Sequence, residues 1–276
     1  MMQKETARKI RDRLQGRPSV NLFCGPTGSG KSQIWRSLQR KYSDDRIVIV
    51  DGSSLTAEGW RGSLKISTIF QSIAPKNRSS VILVIDEMDK LLEPMYGSGG
   101  TNYSHIVQNQ LLKLFDRDEL LFPGEDGKTE GFSVDASHVS VVGLGAFENL
   151  LRSKSAQTGS IGFGGESRQN CDYSNTEITV EDLIESGMRR ELCGRVDRIV
   201  ALEPLDTEAL ICIARNETDK LSTQMQRDVL VDSNTLAKLA DEAVDNGLGA
   251  RWINSQLRNM LDNLVYDNPD AEKYLL

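Results

Sequence analysis

Short, nearly unbroken apolar runs occupy the front of the chain, and apolar residues at helical spacing occupy its back. The runs are Val20–Cys24, Arg46–Val50, Val81–Ile85, Val139–Gly143 and Ile199–Leu202. Runs of this length read as strands, and the continuous one at Val81–Ile85 reads as a strand covered on both faces. Helical stretches lie between them; in Gln33–Gln39, for example, Ile34 and Leu38 fall one turn apart. This alternation predicts an α/β fold with a parallel sheet up to about Pro204. Beyond Leu205 only helical spacing remains. Asp206 is placed to cap a helix through Ala209, Leu210, Ile213 and Ala214. Ser233 is placed to cap a second, with Leu236, Leu239, Ala240, Ala243 and Val244 on one face. Gly247-Leu248-Gly249 breaks the chain, and a third helix carries Ile253, Leu257, Met260, Leu261 and Leu264. The expected organisation is an α/β domain over residues 1–204 and a small helical domain over 205–276. Glu93–Tyr103 and Ser153–Glu177 are polar and Gly-rich and read as exposed loops. Thr6–Leu14 reads as one amphipathic helix.

The turn after the first strand carries the strongest chemical signal. Gly25-Pro26-Thr27-Gly28-Ser29-Gly30-Lys31-Ser32 is a complete G-x-x-x-x-G-K-[ST] phosphate loop between a predicted strand and a predicted helix. Its glycines let successive backbone N–H groups turn inward around phosphate oxygens, and the helix N-terminus adds partial positive charge. Lys31 is placed to reach the β- and γ-phosphates, and Ser32 offers its hydroxyl to magnesium. The motif implies binding of a nucleoside triphosphate. Asp86 and Glu87 then follow the third strand, at the carboxyl end where open α/β sheets bind ligands. Asp86 is placed to hold magnesium through water, and Glu87 to orient and polarise an attacking water. Standing alone, the acidic pair would be a solvated helix start; the phosphate loop upstream favours the catalytic reading.

Composition narrows the class. The chain has 276 residues, 38% of them hydrophobic, enough to bury a core. No apolar run is long enough to cross a membrane, and Met1-Met2-Gln3-Lys4-Glu5 has no apolar leader segment. The four cysteines, Cys24, Cys171, Cys193 and Cys212, form no C-x-x-C pair. They read as reduced thiols of a cytoplasmic protein, with no zinc site. The 33 basic and 40 acidic residues leave a net charge of −7, which argues against a broad nucleic-acid surface. His105 and His138, the only histidines, read as surface or loop residues.

The phosphate loop together with Val81–Lys90 (VILVIDEMDK) resembles AAA+ ATPases, and more narrowly the ClpX-type protein unfoldases. Leu55–Gly62 resembles the family's central pore loop, and Gln110-Leu111-Leu112-Lys113-Leu114 resembles its Gln-Ala-Leu-Leu-Lys-Leu helix. Gly145-Ala146-Phe147 follows the fourth strand as in the family. Ser160-Ile161-Gly162-Phe163-Gly164 resembles the Ile-Gly-Phe loop that docks on the ClpP peptidase. Asp182-Leu183-Ile184 with Glu191–Arg195 resembles the segment carrying the arginine finger, and Gly249-Ala250-Arg251 the sensor-two motif. The resemblance spans about Asn21 to Pro269. It implies ATP and magnesium as cofactors and a ring of six copies that threads polypeptide substrates into a ClpP-like peptidase. Arg195 would reach a neighbouring subunit's γ-phosphate, and Arg251 would touch the same subunit's nucleotide. Trp60 would grip substrate with its flat apolar face in the pore, and Arg61, where the family usually has valine, would add charge there. Ile161, Gly162 and Phe163 would dock on the peptidase.

The chain departs from the family in several places. It has no match to the amino-terminal zinc domain or to the Val-Ile-Gly-Gln segment that contacts adenine. The loop between Leu120 and Val134 is shorter and lacks the Arg-Lys-His substrate contact, and Val139–Leu144 holds no obvious polar sensor-one residue. No terminal strand is read after the third small-domain helix. Two other readings are compatible with the same motifs: a nucleotide-dependent assembly or regulatory protein that threads no substrate, and a DNA-acting loader, which the acidic balance disfavours.

Overall fold

In the computed structural model the described residues are 8–9, 11, 16–42, 46–58, 62, 64–96, 100, 102–122, 131–147, 150 and 178–276. Among the described residues, in chain order, seven strands precede residue 203: β1 (Val20–Cys24), β2 (Ile47–Asp51), β3 (Ile82–Asp86), β4 (Glu119–Phe122), β5 (Phe132–Asp135), β6 (Ser140–Gly145) and β7 (Arg198–Ala201). Five of them form a parallel sheet in the order β2-β3-β6-β1-β7. The helices among them are α1 (Lys31–Tyr42), α2 (Ile66–Ser72), α3 (Tyr103–Phe115), α4 (Val180–Glu185) and α5 (Arg190–Cys193). Each sheet strand overlaps its sequence-predicted run: β1 matches it, and the ends of the others are displaced by one or two residues.

The burial pattern explains the strands. β1 is buried throughout and pairs on both sides, with Leu22 opposite Gly143 on β6 and Ile199 on β7. Its side chains alternate between two apolar layers. Val20, Leu22 and Cys24 pack with Leu83, Ile85, Met88, Leu111 and Leu114, while Phe23 packs with Ile34, Trp35, Leu38, Val84 and Val142. Trp35 meets Phe23 edge to face, with ring centroids 5.9 Å apart, and locks α1 against the sheet. Truncating a buried indole of this kind costs about 3–5 kcal/mol. Helix α1 ends on Arg40 and Lys41, cations suited to a helix C-terminus. Asn102, at the end of the expected Glu93–Tyr103 loop, caps α3 by accepting from Ser104 N.

The Leu120–Val134 stretch, expected as a loop, is instead flanked by an antiparallel pair. In β4 and β5, Leu121 lies opposite Ser133 and Phe122 opposite Phe132. Leu120, Phe122 and Val134 are buried, while Glu119, Leu121, Ser133 and Asp135 are exposed, the period of two that a half-buried hairpin requires. Phe122 rests between Phe70 and Phe132, at centroid distances of 6.1 and 4.9 Å. The Arg78 guanidinium caps Phe132 at 4.7 Å.

The chain folds as two compact units, one taking Glu203–Leu276 together with Pro26–Gly30 and the other taking the rest of the described residues. Within the first, α6 (Thr207–Met225), α7 (Ser233–Asp245) and α8 (Gly249–Asp267) enclose Leu210, Ala214, Leu236, Ala240, Ile253 and Leu257. Asp206 caps α6 as its spacing predicts, accepting from Ala209 N at 2.7 Å. The cap of α7 is Asp232 rather than Ser233; its carboxylate accepts from Asn234 N and Thr235 N, and a full charge serves the helix N-terminus better than a hydroxyl. The expectation of no terminal strand is also wrong. β8 (Asp228–Leu230) pairs in parallel with β9 (Lys273–Leu275), with Val229 opposite a buried Tyr274. The Tyr274 hydroxyl donates to Asn268 O at 3.0 Å, which gives the buried ring's polar end a partner. No described helix is long and apolar enough to cross a membrane.

Candidate functional site

The site grows from the carboxyl ends of the parallel strands. β1 ends at Cys24, and Gly25 N donates to Gly145 O of β6 at 3.3 Å, so the loop leaves the sheet from a fixed point. Gly28 and Gly30 both hold φ +84°, a left-handed conformation open to glycine and costly for other residues. Ser29 N donates to Pro26 O at 3.2 Å within the loop. Helix α1 begins at Lys31, as the motif requires. The Lys31 ammonium donates to Gly25 O at 2.6 Å, folded back over its own loop. Burial pushes the Cys24 thiol above its ordinary value, against the nearby charge of Lys31, which leaves it a protonated core group.

Ser32 and Asp86 come together although 54 positions separate them: the Ser32 hydroxyl donates to Asp86 Oδ1 at 2.8 Å. The same oxygen accepts from Glu87 N at 3.1 Å. Arg36, one turn beyond Ser32 on α1, pairs with Asp86 Oδ2 at 3.9 Å. Asp86 is thus half-enclosed and oriented, while Glu87 is exposed in a left-handed conformation (φ 54°, ψ 39°). A non-glycine residue held there is locally strained, a condition common at functional sites. The donor set suits magnesium. It is a hard cation that takes one or two protein oxygens and completes its shell with phosphate oxygens and waters, and a hydroxyl and a carboxylate stand adjacent. Among the described residues no three His, Cys, Asp or Glu side chains form a self-sufficient metal cage.

Two residues behind the acids escaped sequence reasoning. Gly52, just past β2, approaches so closely that a Cβ there would meet Asp86 O at 2.8 Å and Glu87 O at 3.1 Å. Its only sequence signal is a glycine directly after an apolar strand. Asp89 accepts from Ala146 N and Phe147 N, at 3.2 and 3.3 Å, tying the segment after β3 to the end of β6. The spacing Asp86-Glu87-Met88-Asp89 could have flagged it.

Arg195 follows the C-cap of α5. Its Nε donates to Asp116 Oδ1, and its Nη1 donates to the Glu191 carbonyl at 2.5 Å. Arg251 lies in the first turn of α8 and is exposed. Trp60 and Arg61 lie outside the described residues, as do Ile161, Gly162 and Phe163. His105 and His138 are both exposed.

Two comparisons with known proteins bear on this arrangement. A family model described as AAA domain (Cdc48 subfamily) matches residues 17–199, well over half of the chain. The ATP-dependent Clp protease ATP-binding subunit ClpX of Treponema denticola is 26% identical over 275 residues. That match covers 91% of this chain and 66% of the relative, just under two thirds of its length.

Proposed function

The chain belongs to the AAA domain family (Cdc48 subfamily), and we propose that it is an ATP-dependent protein unfoldase and translocase acting as a cytoplasmic ring. An AAA domain binds ATP, typically with magnesium, and membership implies ATPase activity. The chain is distantly related to ClpX over most of its length. The observation that carries the catalytic reading is the 2.8 Å contact between Ser32 and Asp86 at the strand ends, beside an exposed, left-handed Glu87.

In this reading, backbone N–H groups of Gly25–Gly30 cradle the phosphates, and Lys31 exchanges the Gly25 carbonyl for the β- and γ-phosphate oxygens. Ser32 and Asp86 would hold magnesium, which would supply charge neutralisation at the phosphates. Glu87 accepts a hydrogen bond from the attacking water and aligns it with the γ-phosphorus. Arg195 of an adjacent copy offsets charge on the transferring group, and a trans arginine of this kind is worth ~10³-fold or more. Arg251 contacts the nucleotide from the helical domain and links its state to the motion of that domain. Trp60 and Arg61 of six copies line the pore, and Ile161, Gly162 and Phe163 engage a ClpP-like peptidase. These last roles rest on the sequence resemblance, and the Treponema relative, an ATP-binding subunit of the Clp protease, supports the peptidase partner.

The test compares two variants in equilibrium ATP binding and in phosphate release. Glu87→Gln keeps binding and loses roughly a hundredfold or more in turnover, because the water loses its carboxylate. Lys31→Ala weakens binding itself. Near-normal hydrolysis by Glu87→Gln overturns the assignment.

A further inference from the structure

Arg195 is already bound on two sides before any partner arrives. Its guanidinium presents five donors in a rigid fork. The Nε edge is taken by Asp116 and Nη1 by the Glu191 carbonyl, while no described residue bonds Nη2. Both residues are tied down by backbone hydrogen bonds beside buried side chains. Asp116 is the C-cap of α3, held by its N–H to Leu112 O at 2.9 Å, directly after the buried Leu114 and Phe115. Arg195 follows the buried Leu192 and Cys193, with its own N–H on Leu192 O at 3.0 Å. A carboxylate at a helix C-terminus opposes the helix dipole, so the charge on Asp116 does not stabilise α3. The Glu191 carboxylate is engaged by Arg189 at 3.3 Å, leaving Asp116 as the acid bound to Arg195. The hydrogen bond to Asp116 pushes the guanidinium's pKa above its ordinary value.

We propose that Asp116 is a positioning residue for Arg195, ordering its Nε and Nη1 edges so that Nη2 is presented to the terminal phosphate of a nucleotide on an adjacent copy. This rests on the reading of Arg195 as a trans-acting finger. Arginine has a long, freely rotating stem, and the rotamer freedom removed by Asp116 is freedom that phosphate contact no longer has to remove.

The experiment uses the full chain with ATP and magnesium, and compares Arg195→Ala, Asp116→Ala, Asp116→Asn and the double alanine variant. Measurements are kcat, KM, equilibrium ATP binding and melting temperature. Asp116→Ala should lower kcat about tenfold, in keeping with loss of orientation rather than of charge, with KM and binding unchanged. Asp116→Asn, whose amide oxygen still accepts from Nε, should recover most of that loss. The double variant should be no slower than Arg195→Ala alone, because a positioning residue has nothing left to position. Wild-type or raised kcat in Asp116→Ala beside an inactive Arg195→Ala overturns the proposal while sparing the finger. So do losses that multiply in the double variant. Undiminished turnover in Arg195→Ala overturns the finger and this inference with it.

Discussion

Gly52→Ala is the sharpest test of how the fold holds its acids. The added methyl would stand 2.8 Å from Asp86 O, 3.1 Å from Glu87 O and 3.1 Å from Ile85 Cγ2. Two of these three atoms are backbone, and they cannot rotate away. Ordinary contact lies near 3.5 Å or more, so the Asp86–Glu87 peptide must retreat by roughly 0.5 Å or more. Misplacing a catalytic group by about 1 Å can cost a hundredfold. Half that displacement corresponds to a fall in kcat of about tenfold. Overpacking of this kind also costs about 1–3 kcal/mol, which in a chain of this size lowers the melting temperature by roughly 2–10 °C. ATP affinity should change little, because the phosphate loop is not touched. Ser54→Ala is the control: its exposed hydroxyl donates to Asp51 Oδ2 at 3.3 Å, and its loss should stay within about 0.5 kcal/mol. Phosphate release, equilibrium nucleotide binding and thermal melts measure all three effects. Wild-type turnover in a stably folded Gly52→Ala would refute the idea that close approach at this glycine sets the position of Glu87.

Trp60→Ala should leave basal ATP hydrolysis largely intact and abolish unfolding of a tagged fluorescent substrate; a core tryptophan would instead lose about 3–5 kcal/mol of stability with no specific unfolding defect. Phe163→Ala should abolish ATP-dependent degradation with a ClpP-like peptidase while sparing unfolding, and degradation at the wild-type rate would remove the docking role. Glu217 is 4% exposed; burial pushes its carboxyl up, but hydrogen bonds from Arg258 and Lys220 more than offset this and hold it below its ordinary 4.5. A carboxyl lowered by folding contributes stability above its unfolded value, and that stability is lost as pH falls through the folded one. Glu217→Gln should therefore cost about 1–2 kcal/mol at neutral pH, and the gap to wild type should close in thermal melts below about pH 4; an equal gap at pH 3 and pH 7 would contradict this.

The sheet was legible because its strands are apolar on both faces. Val20–Cys24 and Ile82–Asp86 announce themselves as runs, and their order along the chain implies the crossovers. The β4–β5 hairpin was missed because four-residue strands with one exposed face, Glu119–Phe122 and Phe132–Asp135, leave only two or three alternating positions to read. The terminal strand Lys273–Leu275 is shorter still, and its sole buried residue, Tyr274, says strand only once Val229 is seen opposite it. At the candidate site, Lys31, Ser32, Asp86 and Glu87 could be proposed from sequence because the chemistry assigned to them demands a fixed local spacing. Gly52, Asp89 and Asp116 were not. Each acts through distance in space: a backbone approach, a carboxylate across two strand ends, and an ion pair between residues 79 apart in sequence.

Mixing two inactive subunits tests the central claim, an ATP-hydrolysing ring completed by neighbours, most directly. Arg195→Ala subunits keep an intact phosphate loop, and Lys31→Ala subunits keep an intact Arg195. Light scattering confirms that the two assemble together with ATP and magnesium, and phosphate release is followed across mixing ratios. Each variant alone should hydrolyse ATP near background, and the mixture should regain turnover at interfaces where an intact loop faces an intact arginine. Co-assembled rings that show no gain at any ratio would contradict the account.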